Sequence, residues 1–150
     1  MPTLWLFDIE PHEQRYTGEW KTQLPQQLRN AMKRCSKKRW QLKVINGGNT
    51  TGKLSAGAFI NFAETNAYKS TQIVKFSRLI MKGDVKDGDR LLFSDAWHPG
   101  VLQCRYMADL RPIKLSIDVM WHAGSYDRFD LLGQDRRIQR WSLDFERSVF

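Results

Sequence analysis

Four short apolar runs alternate with longer amphipathic stretches along this chain, and that alternation is the strongest constraint on its fold. The runs are residues 3–9 (TLWLFDI), 41–45, 90–94 and 113–120, short and apolar in the way of buried strands. A helix is expected from Thr17, its N-cap, with Trp20, Leu24, Leu28, Ala31, Met32 and Cys35 on one face. A second is expected over residues 65–81, with Ile73, Phe76, Leu79 and Ile80 as its stripe. Pro99 suits the first position of a third, which carries Leu102, Tyr106 and Leu110 and stops at Pro112. A last helix runs from Arg137 to the end, with Ile138, Trp141, Phe145 and Val149 inward. This order predicts an α/β fold, a Rossmann-like and mostly parallel sheet with helices on both faces. The 150 residues suffice for one domain.

No apolar stretch approaches the ~20 residues of a membrane-spanning helix, and the opening MPTLWLFDIEP does not read as a secretory signal. A cytoplasmic location is expected, with Cys35 and Cys104 as free thiols. The net charge of +8 suits a polyanionic partner without proving one. Much of it falls in KRCSKKRWQLK, residues 33–43, as Lys33, Arg34, Lys37, Lys38, Arg39 and Lys43. Two readings stay open: a solvated helix end whose cations favour the helix C-terminus, or a phosphate-binding patch for nucleic acid.

Parallel sheets bind ligands beyond the carboxyl ends of their strands. The loops placed there are residues 10–18, 46–57, 95–100 and 121–127. Two of them carry a Trp-His pair, Trp97-His98 in FSDAWHPG and Trp121-His122 in WHAGSYD. Asp95, His98 and His122 are too few and too loosely spaced for a metal site, and none is expected. His98 or His122 suits a general base, because imidazole titrates near neutrality; each could equally hydrogen-bond the backbone at a strand end. Trp97 and Trp121 suit either stacking on a ring or core packing. NGGNTTGK, residues 46–53, has the wrong spacing for a Walker loop and reads as a flexible loop closing over a ligand, with Asn49 in contact. Glu10, Arg15, Tyr16, Ser125 and Tyr126 add polar groups at the same rim, which suits a sugar, a nucleotide or a flipped base.

Four blocks, FDIEPHEQRYTGEWKTQLP, GAFINFAETNAYKSTQIVKFSRLI, GDVKDGDRLLFSDAWHPGVLQCRYMADL and WHAGSYDRFDLLG, together resemble a family of phage-encoded glycosyltransferases of the GT-B type, over residues 6–150. The resemblance implies the amino-terminal, acceptor-binding half of a two-domain enzyme, with the second, donor-binding domain outside this chain. It implies a nucleotide sugar as co-substrate, no cofactor, and a place in the cytoplasm of an infected host. With the positive charge, it points to DNA as acceptor, a base leaving the stack to reach the rim and stacking on Trp97 and Trp121. Asp95 or His122 would then deprotonate the acceptor hydroxyl. The alternative is a non-enzymatic phage protein that binds and inhibits a host protein or a nucleic acid. Either way, the two Trp-His pairs are expected within one cleft.

Overall fold

The computed structural model describes residues 1–12, 15–34, 39–50 and 61–149. Four strands, β1 (Thr3–Phe7), β2 (Gln41–Ile45), β3 (Arg90–Phe93) and β4 (Ser116–Val119), form one parallel sheet in the order β2-β1-β3-β4. β1 is central, and its unbroken run of bulky apolar residues is what a strand covered on both faces requires. Register sets Phe7 beside both Ile45 and Phe93, and Phe93 beside Val119. From β1 the chain goes to one side and then recrosses to the other. The strand order therefore reverses between β1 and β3, where open α/β sheets bind their ligands.

Five helices complete the described chain: α1 (Tyr16–Arg34), α2 (Phe62–Met81), α3 (Gly100–Leu110), α4 (Leu131–Gln134) and α5 (Arg136–Val149). Period-two alternation divides the strand side chains between two faces. Trp5, Phe7, Leu91 and Phe93 pack with Ile73, Phe76 and Ile80 of α2 and with Val101 and Cys104 of α3. Phe7 stacks on Phe93 at 4.1 Å between centroids and meets Phe76 edge-on at 5.3 Å. Leu4 and Leu92 face the other way and line a groove with Ala31 and Met32 of α1. Helices thus lie on both faces of a Rossmann-like sheet. Cys104 is fully buried in the core and burial pushes its thiol up, which makes it inert; Cys35 lies outside the described residues.

Several expected boundaries move, each for a local reason. β1 ends at Phe7 and β4 starts at Ser116, because β3 offers partners only from Arg90 to Phe93. Thr17 lies inside α1 and is not its cap. α2 begins three residues before Thr65, capped by Asn61, whose side chain accepts from the Ala63 and Glu64 amides at 3.1 and 3.3 Å. Pro99 is the cap residue of α3, not its first helical residue. On α3 the buried face is Val101, Cys104 and Ala108, while Leu102, Tyr106 and Leu110 are exposed; the small residues face inward because Gly100, beside Ile73, lets α3 approach α2 closely. On α5 Trp141 stands 55% exposed, and the residues buried are Ser142 and Glu146.

One buried amide ties these elements together. Gln72 of α2 is fully buried, and its Nε2 donates to the Ile45 carbonyl at 2.6 Å and to the Asp8 carbonyl at 2.9 Å, at the ends of β2 and β1. Its Oε1 accepts from His98 Nε2 at 3.0 Å, while His98 Nδ1 accepts the Gly100 amide at 2.9 Å. Both ring nitrogens are therefore committed to the neutral imidazole, and burial holds its pKa down to about 3. Unfolded, the ring takes a proton near pH 6.5; folded, it resists until about pH 3. Between those values the unfolded chain binds more protons, so stability is full above pH 6.5 and falls as pH drops. We expect a loss of roughly 3–5 kcal/mol by the acid end of this window. Urea unfolding across the window should show a shallower loss in His98→Asn, whose side chain stays uncharged.

Candidate functional site

A cleft of about 610 Å³ opens at the carboxyl ends of β1 and β3. One wall is aromatic: Trp97 from the loop after β3, and Trp141 and Phe145 from α5. Trp97 stacks on Phe145 at 4.9 Å and meets Trp141 edge-on at 6.1 Å, and its Nε1 donates to the Ala123 carbonyl at 3.1 Å. These contacts fix the indole plane. The opposite floor is polar. Glu10 and His12 come from the segment after β1, Thr17 from the first turn of α1, and Thr65 and Lys69 from α2.

The two Trp-His pairs reach this cleft crosswise. Trp97 lines it while His98 turns into the core beside Phe7 and Phe93. In the second pair His122 lines it while Trp121 lies behind Trp97 at 6.4 Å. His98 is thus removed from chemistry, its nitrogens spent on Gln72 and Gly100. His122 sits between the rings of Tyr16 and Trp20, and its Nε2 lies 2.7 Å from the Ser94 carbonyl. A carbonyl only accepts, so Nε2 carries the proton and Nδ1 is the basic nitrogen.

The two cleft carboxyl groups differ in kind. Asp95 has both oxygens engaged: Oδ2 with Lys69 Nζ at 2.6 Å, Oδ1 with the Trp97 amide at 3.0 Å. Burial pushes this carboxyl up, but the Lys69 ammonium and the two donated bonds outweigh it and hold the group below the usual range. Lys69 is equally committed, donating also to the Trp97 carbonyl at 2.7 Å. Asp95 therefore organises the loop and is a poor base. Glu10 is the reverse case. Burial raises its pKa, with Lys69 offsetting part of the effect, and its Oε2 has no hydrogen-bond partner among the described residues. His12, Thr17 and Thr65 share that condition: both ring nitrogens and both hydroxyls are buried without a partner among the described residues. A buried unsatisfied polar group costs roughly 1–3 kcal/mol, and four such side chains around one cavity mark a place built for a polar ligand.

The remaining expected site residues are distributed as follows. Arg15 and Tyr16 line the cleft with Glu10. Asn49 is exposed and does not line it; it follows a Gly-Gly turn in which a side chain on Gly47 would strike the Tyr68 ring and Gly48 has φ +100. Ser125 is buried away from the cleft, bonded through its amide and hydroxyl to the Glu146 carboxylate, which fastens the loop after β4 to α5. Tyr126 stacks on the outer side of Trp121 at 6.2 Å. Lys33, Arg34 and Arg39 lie at the opposite end of the sheet, because α1, with 19 residues, carries the chain about 28 Å from the cleft. Lys43 packs its ammonium over the Trp5 ring at 4.7 Å. Lys37, Lys38 and residues 51–57 lie outside the described residues. As site residues, sequence reasoning missed His12, Thr17, Thr65, Lys69 and Gln72. The last three extend the apolar stripe of α2 backwards at helical spacing, a signal visible only if polar residues are allowed to face inward. Among the described residues no three His, Cys, Asp or Glu side chains gather as a metal site would need, and no helix is long and apolar enough to cross a membrane.

Breaking the Lys69–Asp95 pair leaves a carboxylate uncompensated. Lys69→Met should destabilise the fold by on the order of 3 kcal/mol, the low end for a buried pair, because 20% of the Asp95 side chain stays exposed. Adding Asp95→Asn should recover part of that loss in thermal or urea unfolding.

None of the protein-family models, curated proteins or solved structures compared with the chain matches it. Its function is therefore read from the chemistry of the cleft.

Proposed function

We propose that this chain is the acceptor-binding half of a glycosyltransferase, holding a hydroxyl-bearing ring in the cleft against Trp97 and Phe145. The observation that carries the reading is Glu10: a buried carboxyl with one oxygen that has no partner among the described residues, in a ligand-sized cavity at the strand-order reversal. The acceptor O–H breaks, its proton passes to Glu10 Oε2, and the oxygen attacks the anomeric carbon of a nucleotide sugar held by a second domain. The nucleoside diphosphate departs with the electron pair of the broken C–O bond. A carboxyl raised above its usual range is better matched to this work near neutral pH than one held down by a lysine, which favours Glu10 over Asp95. His122, with Nδ1 as its basic nitrogen, is the second group able to take the proton.

Glu10→Gln tests the assignment in two ways. With nucleotide sugars and hydroxylated acceptors supplied to the complete enzyme, turnover should fall roughly 10²–10⁴-fold, the usual contribution of a general base. Stability should move the other way. Because the folded state raises the pKa of this carboxyl above 4.5, ionising it opposes folding as pH climbs past that value. The glutamine variant should therefore unfold at higher temperature at pH 7, the gap closing below pH 4.5. An unchanged turnover would remove Glu10 from the chemistry.

A second reading, binding of a nucleic acid or host partner through charge, is favoured by one observation. No acidic residue occurs between Glu19 and Glu64, and the cations of that span include Lys33, Arg34 and Arg39 at the far end of the sheet. DNA held there would lie about 28 Å from the cleft, the length of α1, so this mode is separate from acceptor binding. Neutralising Lys33, Arg34 and Arg39 to glutamine should cut duplex-DNA affinity and lower the slope of log K against log salt by roughly 3. The cleft ligand should bind as before.

A further inference from the structure

The cleft also indicates which class of ring it takes. Glu10, His12, Thr17 and Thr65 are each less than a tenth exposed, line one cavity, and present Oε2, both imidazole nitrogens and two hydroxyls with no partner among the described residues. They come from three elements, so they surround a ligand instead of reading one of its edges. Threonine hydroxyls both donate and accept, and a neutral imidazole does one of each. Their best counterpart is a set of groups that also does both and can turn to suit.

Other ligand classes fit worse. An apolar ring would leave all four side chains desolvated and unbonded. A phosphate or carboxylate would meet two carboxyl groups; of the two cleft cations, Lys69 is already engaged by Asp95 and the Trp97 carbonyl, and Arg15 is only half-buried and apart from the buried floor. A flat base has fixed donors and acceptors in one plane, which serves an edge-reading site and not a surrounding one. A saturated ring with hydroxyls around its perimeter satisfies the floor and sets its C–H groups against the aromatic wall of Trp97, Trp141 and Phe145.

We propose that the floor of the cleft recognises a neutral polyhydroxylated ring of monosaccharide type through Glu10, His12, Thr17 and Thr65. This rests on the cleft being the acceptor site and specifies what the acceptor is.

The test uses the full chain and tryptophan fluorescence, since Trp97 and Trp141 line the cleft. The probes are the methyl glycosides of glucose, galactose, mannose and N-acetylglucosamine, with thymine, inorganic phosphate and cyclohexanol as contrasts. Saturable binding of at least one glycoside and of none of the contrasts is expected. Thr17→Val and Thr65→Val should each weaken that binding about tenfold, the loss of one hydrogen bond. Their thermal midpoints should stay level or rise, because each removes a buried hydroxyl that has no partner among the described residues. Glycoside binding that ignores both valine variants overturns the proposal, as do midpoints that fall by several degrees in both. Binding of thymine, phosphate or cyclohexanol but of no glycoside overturns the monosaccharide assignment and leaves the cleft a ligand site. Silence with every probe overturns the acceptor reading as well.

Discussion

The side-chain amide of Gln72 is the contact on which the rest depends. A parallel sheet is held by its own ladders only as far as the strands run, and here they run four or five residues. Beyond them the chain leaves β1, β2 and β3 in loops that must be placed for a site to exist. Gln72 reaches from α2 into that zone, bonds the carbonyls at the ends of β1 and β2, and through His98 fixes the loop that begins α3. Buried amides with every bond made specify one arrangement strongly, since any other leaves several polar groups unsatisfied at once. At the opposite end Asp89 plays a similar part, accepting the Thr3 amide, the Trp5 indole N–H and the Lys86 amide.

Between these fastenings the molecule tolerates a cleft whose floor works against stability. Glu10, His12, Thr17 and Thr65 each forgo a hydrogen bond within the described chain, and hydrophobic replacements there should stabilise the fold. Such sites persist where they serve a ligand, and their cost is carried by the surrounding structure. The aromatic wall shows the opposite economy: Trp97 is gripped by Phe145, Trp141 and the Ala123 carbonyl, so it presents a rigid face with little entropy left to lose on binding.

The two Trp-His pairs show how far residue order can be read. Their expected position at the carboxyl ends of neighbouring strands holds, as β3 and β4 pair directly. Adjacent residues point to different sides, however, and which member faces the cleft depends on the turn each loop makes. Pro99 and Gly100 swing the first loop so that His98 goes into the core, and the Ser94 carbonyl draws His122 to the rim. The apolar stripe of α3 misled for a related reason: Leu102, Tyr106 and Leu110 keep helical spacing as well as Val101, Cys104 and Ala108 do. Only the close approach of Gly100 to Ile73 selects the smaller set as the buried face.

By itself the sequence determined the alternation of strand and helix, and with it the parallel sheet, the core of β1 and β3, and the end of the sheet where polar side chains would gather. Those follow from periodicity and from the short range of backbone hydrogen bonding. The sequence could not determine which polar residues turn inward, because Lys69, Gln72 and Thr65 look like the solvated face of α2 until Asp95, His98 and the cleft supply their surroundings. Nor could it separate Asp95 from Glu10, two carboxyl groups whose character depends on a lysine bonded directly to the first and on the burial of the second, whose Oε2 has no partner among the described residues. Those distinctions belong to tertiary structure, because burial and charge proximity are properties of the packed molecule.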